Sequence, residues 1–360
     1  MLSPAQIDFN KVSPERFRGI KLNHKVNWEA LSLAFDHSLD ASGDKVSLLK
    51  RKRLKDALLK AVRKNGIEGL DPKLRYNYCR ARLYLGDFSN YWGWEFRDMD
   101  GDGWAAHLYW EETWMPKWGG GYCDRLLVLG EQGVGDAIFA AGLLPDCMVR
   151  VKEVVFECDE RLHTLLTRSL PGLIVKKERQ FEDRREDYGH IDAFIPSFEL
   201  LRMFRTDKRA FPGIPYLRPD PIRVIGMARY RGRTGVAWKG RQGSIDPMVL
   251  DIEHPLSVQY KEVVRGVEHP ELDLFNDLEG LVALCSVLKK VVTVPQSVQH
   301  FAGAQGVRTE IIVPNIAGEA KNLSAWDYST MYDKGKLPWY KNAYVFDSIE
   351  EWKNELRLPA

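Results

Sequence analysis

Leu126-Leu127-Val128-Leu129-Gly130-Glu131-Gln132-Gly133-Val134-Gly135-Asp136-Ala137-Ile138-Phe139 joins an apolar run to a small-residue segment through a glycine-hinged acidic loop. Four consecutive apolar residues ending at a glycine predict a central parallel strand, covered on both faces, and residues Asp136 to Leu144 predict the helix that follows it. Gly133 and Gly135 leave the backbone open to close approach by a ligand. Asp136 falls in the first helical turn, at the carboxyl edge of the strand, where ligands collect in open α/β sheets. Its carboxylate has a structural reading, in which the helix dipole favours it by roughly 0.3–1 kcal/mol, beside a functional one at that ligand-collecting edge. The loop is not a dinucleotide fingerprint, because Gly133-Val134-Gly135 lacks the third glycine, and no Gly-Lys-Ser/Thr follows to make a Walker loop.

At 360 residues and 44% hydrophobic content, the chain has room for two domains plus an extension. A net charge of +2 argues against general attraction to polyanions and leaves such binding to local patches. Cys79, Cys123, Cys147, Cys158 and Cys285 form no Cys-x-x-Cys pair, which fits a reducing compartment and indicates neither a disulfide framework nor a structural zinc. The residues after Met1 offer no basic segment followed by an apolar one, so no secretory leader is expected. No apolar run nears the roughly 20 residues of a membrane span. A cytoplasmic protein without a membrane span is the expectation.

Residues 1–120 read as a helical extension. Leu48, Leu54, Leu58 and Val62 fall near helical spacing opposite a basic face around Lys50-Arg51-Lys52-Arg53, and a helix from Pro72 to Leu85 ends at Gly86 before its partner. From Arg125 the pattern alternates: strands at Leu126–Leu129, Val154–Phe156, Leu173–Val175 and Ile191–Pro196 interleave with helices after Asp136, near Asp159–Ser169 and at Ser197–Phe204. Such alternation predicts a parallel sheet flanked by helices. Four prolines between Phe211 and Ile222 predict a semi-rigid connector and set the domain boundary at residues 215/216. A second unit over 216–345 has strands at Gly235–Trp238, Val291–Val294 and Glu310–Val313 and helices at Leu278–Leu288 and Ser297–Gln305. Ser348 and Glu351 form a capping box that starts a terminal helix over 346–360.

Read in this order, the chain resembles the nucleotide-sugar glycosyltransferases of GT-B fold that often carry tetratricopeptide repeats (O-GlcNAc-transferase-like), and more distantly the heptosyltransferases. Residues 80–88 with Gly93-Trp94-Glu95 look like the family's last repeat helix pair, and Pro116-Lys117-Trp118-Gly119 with Leu126 to Pro145 like its first strand, acidic glycine loop and helix. Residues 214–221 are similar to its interdomain connector, Gly235 to Gly240 to the first strand of its second domain, Val294 to Gly306 to its donor loop and helix, and Pro338 to Phe346 to its closing segment. The likeness covers roughly residues 75 to 347, and its collinearity is more specific than any one segment.

The resemblance implies α/β architecture with two Rossmann-like parallel-sheet domains, 121–215 on the acceptor side and 216–345 on the nucleotide-sugar side. It implies Asp136 as the general base toward an acceptor hydroxyl, a task that suits a partly desolvated carboxylate, with Gln132, Gly133 and Gly135 forming the acceptor loop. Lys239, and more weakly Arg241, would stabilise the leaving diphosphate, with a solvated loop lysine as the structural alternative. Ser297, Val298, Gln299 and His300 open a helix whose free N–H groups suit a phosphate. His300 matches the family's histidine, yet a buried helix histidine reads equally well. Asp277 reads as a helix cap before it reads as a ribose contact. The chain departs from the family at Pro295-Gln296, where relatives carry Asp-Thr; that puts the donor's identity, and turnover itself, in question.

The expected activity is transfer of a sugar from a nucleotide-diphosphate sugar, as co-substrate and not cofactor, to a hydroxyl, with inversion. No metal is called for, because no Asp-x-Asp follows a strand as a GT-A enzyme needs; Asp98-Met99-Asp100-Gly101-Asp102 lacks the distant glutamate of a calcium loop and reads as a turn. The band of Trp92, Trp94, Trp104, Trp110, Trp114 and Trp118 reads as core before it reads as a stacking surface. The basic runs read as solvated faces first. Were they to border one cleft, a nucleic-acid acceptor such as a modified base would stand beside protein and glycan hydroxyls. The competing class is a catalytically degenerate binding module of the same fold, and a dinucleotide oxidoreductase is disfavoured by its missing fingerprint.

Overall fold

The computed structural model describes residues 116–130, 133–177, 188–206, 208–240, 243–313, 336–346 and 348–355. The repeat-like helix pair, the basic helix near Lys50, the aromatic band apart from Trp118, and the Asp98 turn lie outside them.

The opening apolar run forms β1 (Arg125–Leu129), whose last four residues are buried. It is followed by α1 (Val134–Ala141) and α2 (Leu144–Met148), then β2 (Glu153–Cys158), α3 (His163–Ser169), β3 (Ile174–Lys177), β4 (Ala193–Pro196) and α4 (Glu199–Phe204). These four strands make one parallel sheet in the order β3-β2-β1-β4. A second group comprises α5 (Pro221–Gly226), β5 (Thr234–Ala237), the short hairpin β6 (Lys239–Gly240) and β7 (Gly243–Ser244), β8 (Leu256–Ser257), α6 (Leu278–Val287), β9 (Lys290–Thr293), α7 (Ser297–Gly303), β10 (Thr309–Ile312), β11 (Ala343–Phe346) and α8 (Ile349–Glu355). Its five-stranded sheet is also parallel, in the order β11-β10-β9-β5-β8.

The strands expected at Gly235, Val291 and Glu310 each begin one residue earlier, because the residue before each already joins the ladder. Sequence pattern misses α5: Asp220 caps it by accepting from the N–H groups of Ile222 and Arg223, and Pro221 occupies its first turn, so the fourth proline starts a helix that the connector reading left out. It also leaves out β8 and β11, which have only two and four residues.

Both strand orders reverse direction once. In the first sheet the reversal lies between β1 and β4, and in the second between β5 and β9; at each point the loops leave opposite sides of the sheet and open a crevice at the carboxyl edge. The connector 211–220 and the stretch 336–342 pack between the two sheets. Tyr216 and Leu217 donate backbone N–H groups to Ala304 O at 2.9 and 3.1 Å, and the Trp339 indole meets both Phe139 and Phe211 edge-on with centroids 4.5 Å apart.

The far end of the second sheet is fastened by charge. Glu310 is fully buried and accepts from Lys290 Nζ at 2.8 Å, Arg308 Nε at 2.6 Å and the Trp352 indole N–H at 2.8 Å. Trp352 lies on α8, which Ser348 caps through the Glu351 N–H at 3.1 Å. Burial alone would raise the Glu310 carboxyl, but these three donors together hold it below its ordinary value. Since that value is depressed, the stabilisation is complete above the unfolded carboxylate range and is lost as pH falls through it. Glu310→Gln should therefore lower stability by about 3 kcal/mol at neutral pH, because the half-buried Lys290 ammonium loses its counter-charge. In urea titrations the gap from the parent protein should narrow below the ordinary carboxylate range.

Candidate active site

Four loops leave the two strand reversals, and each has a specific chemical content. After β1, the Gly133 N–H donates to Asp136 Oδ2 at 3.2 Å, so the carboxylate closes the first turn of α1 from within; the Ala137 N–H meets the Gly133 carbonyl at 2.9 Å. Asp136 is half-buried. After β4, the Ser197 N–H returns to Leu129 O at 2.9 Å and ties the two strand ends together. After β9, the Val294 N–H bonds Ala237 O at 3.0 Å, the equivalent tie in the second sheet.

The first turns of α1 and α7 meet directly. A Cβ on Gly135 would lie 3.0 Å from His300 Cδ2 and 3.1 Å from Ser297 Cα, so a side chain there would have to push its neighbours back by a few tenths of an ångström. That contact sets the acidic loop of the first sheet beside the Pro295-Gln296-Ser297 loop of the second.

Gln259, which follows β8, organises the second crevice. Its buried side-chain oxygen accepts from Trp238 N at 3.1 Å, Lys239 N at 3.0 Å and Gln296 Nε2 at 3.1 Å, which crosslinks the loops after β5, β8 and β9. Gly240 completes the crosslink, since a Cβ there would stand 2.3 Å from Pro295 O. Gln296 is thus accommodated by an amide-to-amide bond. Lys239 Nζ is held by Glu262, whose other oxygen takes the Trp238 indole N–H at 3.2 Å. The Lys239 ammonium beside Glu262 keeps that carboxyl below its usual range.

His300 is buried, and desolvation takes its pKa down to about 3, so the imidazole is neutral. A Gln299 amide N–H can only donate, so the 3.0 Å contact makes His300 Nε2 the acceptor and leaves the proton on Nδ1, which meets Tyr340 Oη at 2.8 Å. Tyr340 bonds Tyr216, and Tyr216 Oη donates to Ile138 O at 2.8 Å. His300 thus begins a directed polar chain across the α1–α7 seam, as an uncharged hydrogen-bonding group rather than a cation. Asp277 caps α6 through Gly280 N at 2.9 Å and accepts both Arg223 Nη1 contacts at 2.6 Å. Val298 and Gln299 are buried in the first turn of α7 and Ser297 is half-buried. Gln132 and Arg241 lie outside the described residues.

The structure therefore brings Gly135 against Ser297 and His300, with Gly133 and Asp136 bonded to each other in the same turn, and groups Lys239 with Gln296 through Gln259. Asp277 is engaged with α5. Sequence reading missed Gln259 and Glu262, although Leu256-Ser257-Val258 ahead of Gln259 carries the apolar–polar alternation of a strand ending in a polar loop. Among the described residues no cluster of metal-ligating side chains occurs, Cys123, Cys147, Cys158 and Cys285 are free thiols, and no helix is long and apolar enough to cross a membrane.

No family model matches the chain. Protein FlbA of Caulobacter vibrioides is 24% identical over 266 residues, which are 62% of this chain and 43% of that protein; the chain spans less than half the length of this relative. Among solved structures it is similar to the E. coli ADP-heptose lipopolysaccharide heptosyltransferase II (TM-score 0.45, 10% identity, 64% of this chain and 97% of that one). It is also similar to a glycosyl transferase family 9 protein of Veillonella parvula (TM-score 0.42, 9% identity, 66% and 90%).

Replacing Gln259 by leucine should strip the Trp238 and Lys239 N–H groups of their acceptor, at about 1–3 kcal/mol for the buried Trp238 donor and less for Lys239, which is near water. A guanidinium midpoint indistinguishable from that of the parent would show that water takes over the role.

Proposed function

We propose that this chain is a glycosyltransferase of GT-B type, which moves a sugar from a nucleotide-diphosphate sugar to a hydroxyl acceptor. In this reading the sheets β1–β4 and β5–β11 are the cores of acceptor-side and donor-side domains, residues 121–215 and 216–345, behind a helical extension. The observation that carries the reading is the Gly135–Ser297 contact, which lays the loops from both strand reversals along one seam. Ligands of open parallel sheets bind at such reversals, and a two-substrate transfer needs two of them facing each other.

Asp136 is the general base in this scheme. Its Oδ2 is anchored on the Gly133 N–H, which orients the carboxylate for in-line attack by the acceptor hydroxyl with inversion at the sugar carbon. Lys239 meets the charge that develops on the leaving diphosphate. Backbone N–H groups of Ser297 and Val298 add donors, and His300 supports that turn as a neutral group. Asp277 fixes α6 behind the donor side. The reaction is written without a metal or a cofactor, the setting is the cytoplasm, and the acceptor is a hydroxyl on a modified base, a protein or a glycan. The glycosyltransferase likenesses among solved structures are in keeping with this scheme.

A second reading has its own support. With Gln296 bonded to Gln259 and Lys239 held by Glu262, the donor crevice is already satisfied internally, as in a module that binds a nucleotide or a partner without turnover. One assay separates the two. Purified protein is screened by thermal shift against uridine, guanosine and adenosine diphosphates and NAD, and then assayed for nucleotide release with the matching sugar donor and an acceptor panel. A transferase should be stabilised by one diphosphate and not by NAD, and should release nucleotide; Asp136→Asn should bind the diphosphate unchanged and release it roughly 10²–10⁴-fold more slowly. Equal release by the Asp136 variant would remove the assigned base, and stabilisation without release across the panel would favour the binding module.

A further inference from the structure

Resting on the donor-site reading above, we propose that Glu262 is a displaceable counter-ion for Lys239, yielding the lysine to an incoming diphosphate and reclaiming it as the nucleoside diphosphate leaves. The two residues follow neighbouring strands, β5 and β8, on the carboxyl edge of the second sheet beside its reversal. Both carboxylate oxygens are in use: one takes Lys239 Nζ and the other the Trp238 indole N–H. The carboxylate is therefore aimed at the lysine and does not trail in solvent.

The backbone is bent to achieve this. Lys261, immediately before Glu262, has φ of +61°, a left-handed conformation that a residue with a side chain adopts only under local constraint. Its own ammonium is turned away, 3.6 Å from the centroid of the Phe275 ring. The turn thus sends one cation to an aromatic face and the next side chain, an anion, to Lys239. Backbone strain of this kind collects at ligand clamps and switches.

Lys239 keeps 57% of its side chain exposed, so its ammonium stays open to a ligand while Glu262 bonds it. A phosphate reaching that ammonium comes within a few ångströms of the Glu262 carboxylate and is repelled by it. The repulsion scales with the charge of the visitor. A nucleotide-diphosphate sugar has its terminal phosphate esterified, whereas the free nucleoside diphosphate carries a further ionisable oxygen that is largely charged near neutral pH. Glu262 therefore weakens product more than donor, and its place in the cycle is product release.

The test is calorimetric titration of the parent protein and Glu262→Gln with the stabilising nucleoside diphosphate, inorganic pyrophosphate and the neutral nucleoside. Glutamine keeps an acceptor for the Trp238 indole and removes only the charge. Glu262→Gln should bind the diphosphate and pyrophosphate about tenfold more tightly, with the nucleoside unchanged, as expected for loss of one nearby like charge. The gain should shrink in the Lys239→Met background, where the diphosphate is no longer drawn beside residue 262, and unchanged nucleoside binding in every variant shows that the site is folded. Binding of diphosphate by the parent with no gain in Glu262→Gln, or an equal gain for the neutral nucleoside, overturns the counter-ion role and leaves the donor site standing. If neither protein binds diphosphate or pyrophosphate, the donor-site reading falls and takes this role with it.

Discussion

The near-contact of two helix starts, α1 at Gly135 and α7 at Ser297, is the constraint on which the arrangement depends. Each helix begins where its strand ends, so bringing the two first turns together also brings two sheet edges together. A methyl group at position 135 would already press on Ser297 and His300. Each further atom would add to that pressure on the seam that holds the loops of Asp136 and Gln296 side by side.

Around that contact the molecule keeps polarity but removes charge. Gln299, His300, Tyr340 and Tyr216 hand hydrogen bonds in one direction to the Ile138 carbonyl, and burial keeps both the imidazole and the Tyr216 phenol in their neutral forms. Directed neutral bonds of this kind specify a single alignment without the desolvation penalty of ions. Charge appears where the chain returns toward water, as Arg168 pairing with Glu279 and Arg161 reaching the Phe275 carbonyl, which connect the same two halves at their rim.

Much of this was legible in the sequence, and the parts that were not share a physical reason. The apolar run Leu126–Leu129 announces a buried parallel strand, because few other structures hide four consecutive apolar side chains, and Val291–Val294 does the same with three valines around Thr293. The loop after β1 announces itself by its glycines and lone carboxylate. By contrast β8 has only two residues in its ladder, and Gln259 owes its importance to three partners, of which Gln296 is 37 positions away. His300 could be matched by position but not by state: burial from α1, α7 and Tyr340 together decides that it is neutral, and no local pattern encodes that sum. The Pro221 turn shows the same limit, since a proline that ends one element also begins another, and only Asp220 before it distinguishes the two.

The Glu310–Trp352 fastening lies near the amino ends of strands β9 and β10, at the opposite pole from the crevice. The two polar hubs of this half therefore sit at opposite ends of one sheet. Glu310 ties β9 and β10 to the terminal helix, whereas Gln259 ties together the loops after β5, β8 and β9. A substitution at one hub leaves the bonds of the other in place, so the two ends of the sheet can change separately.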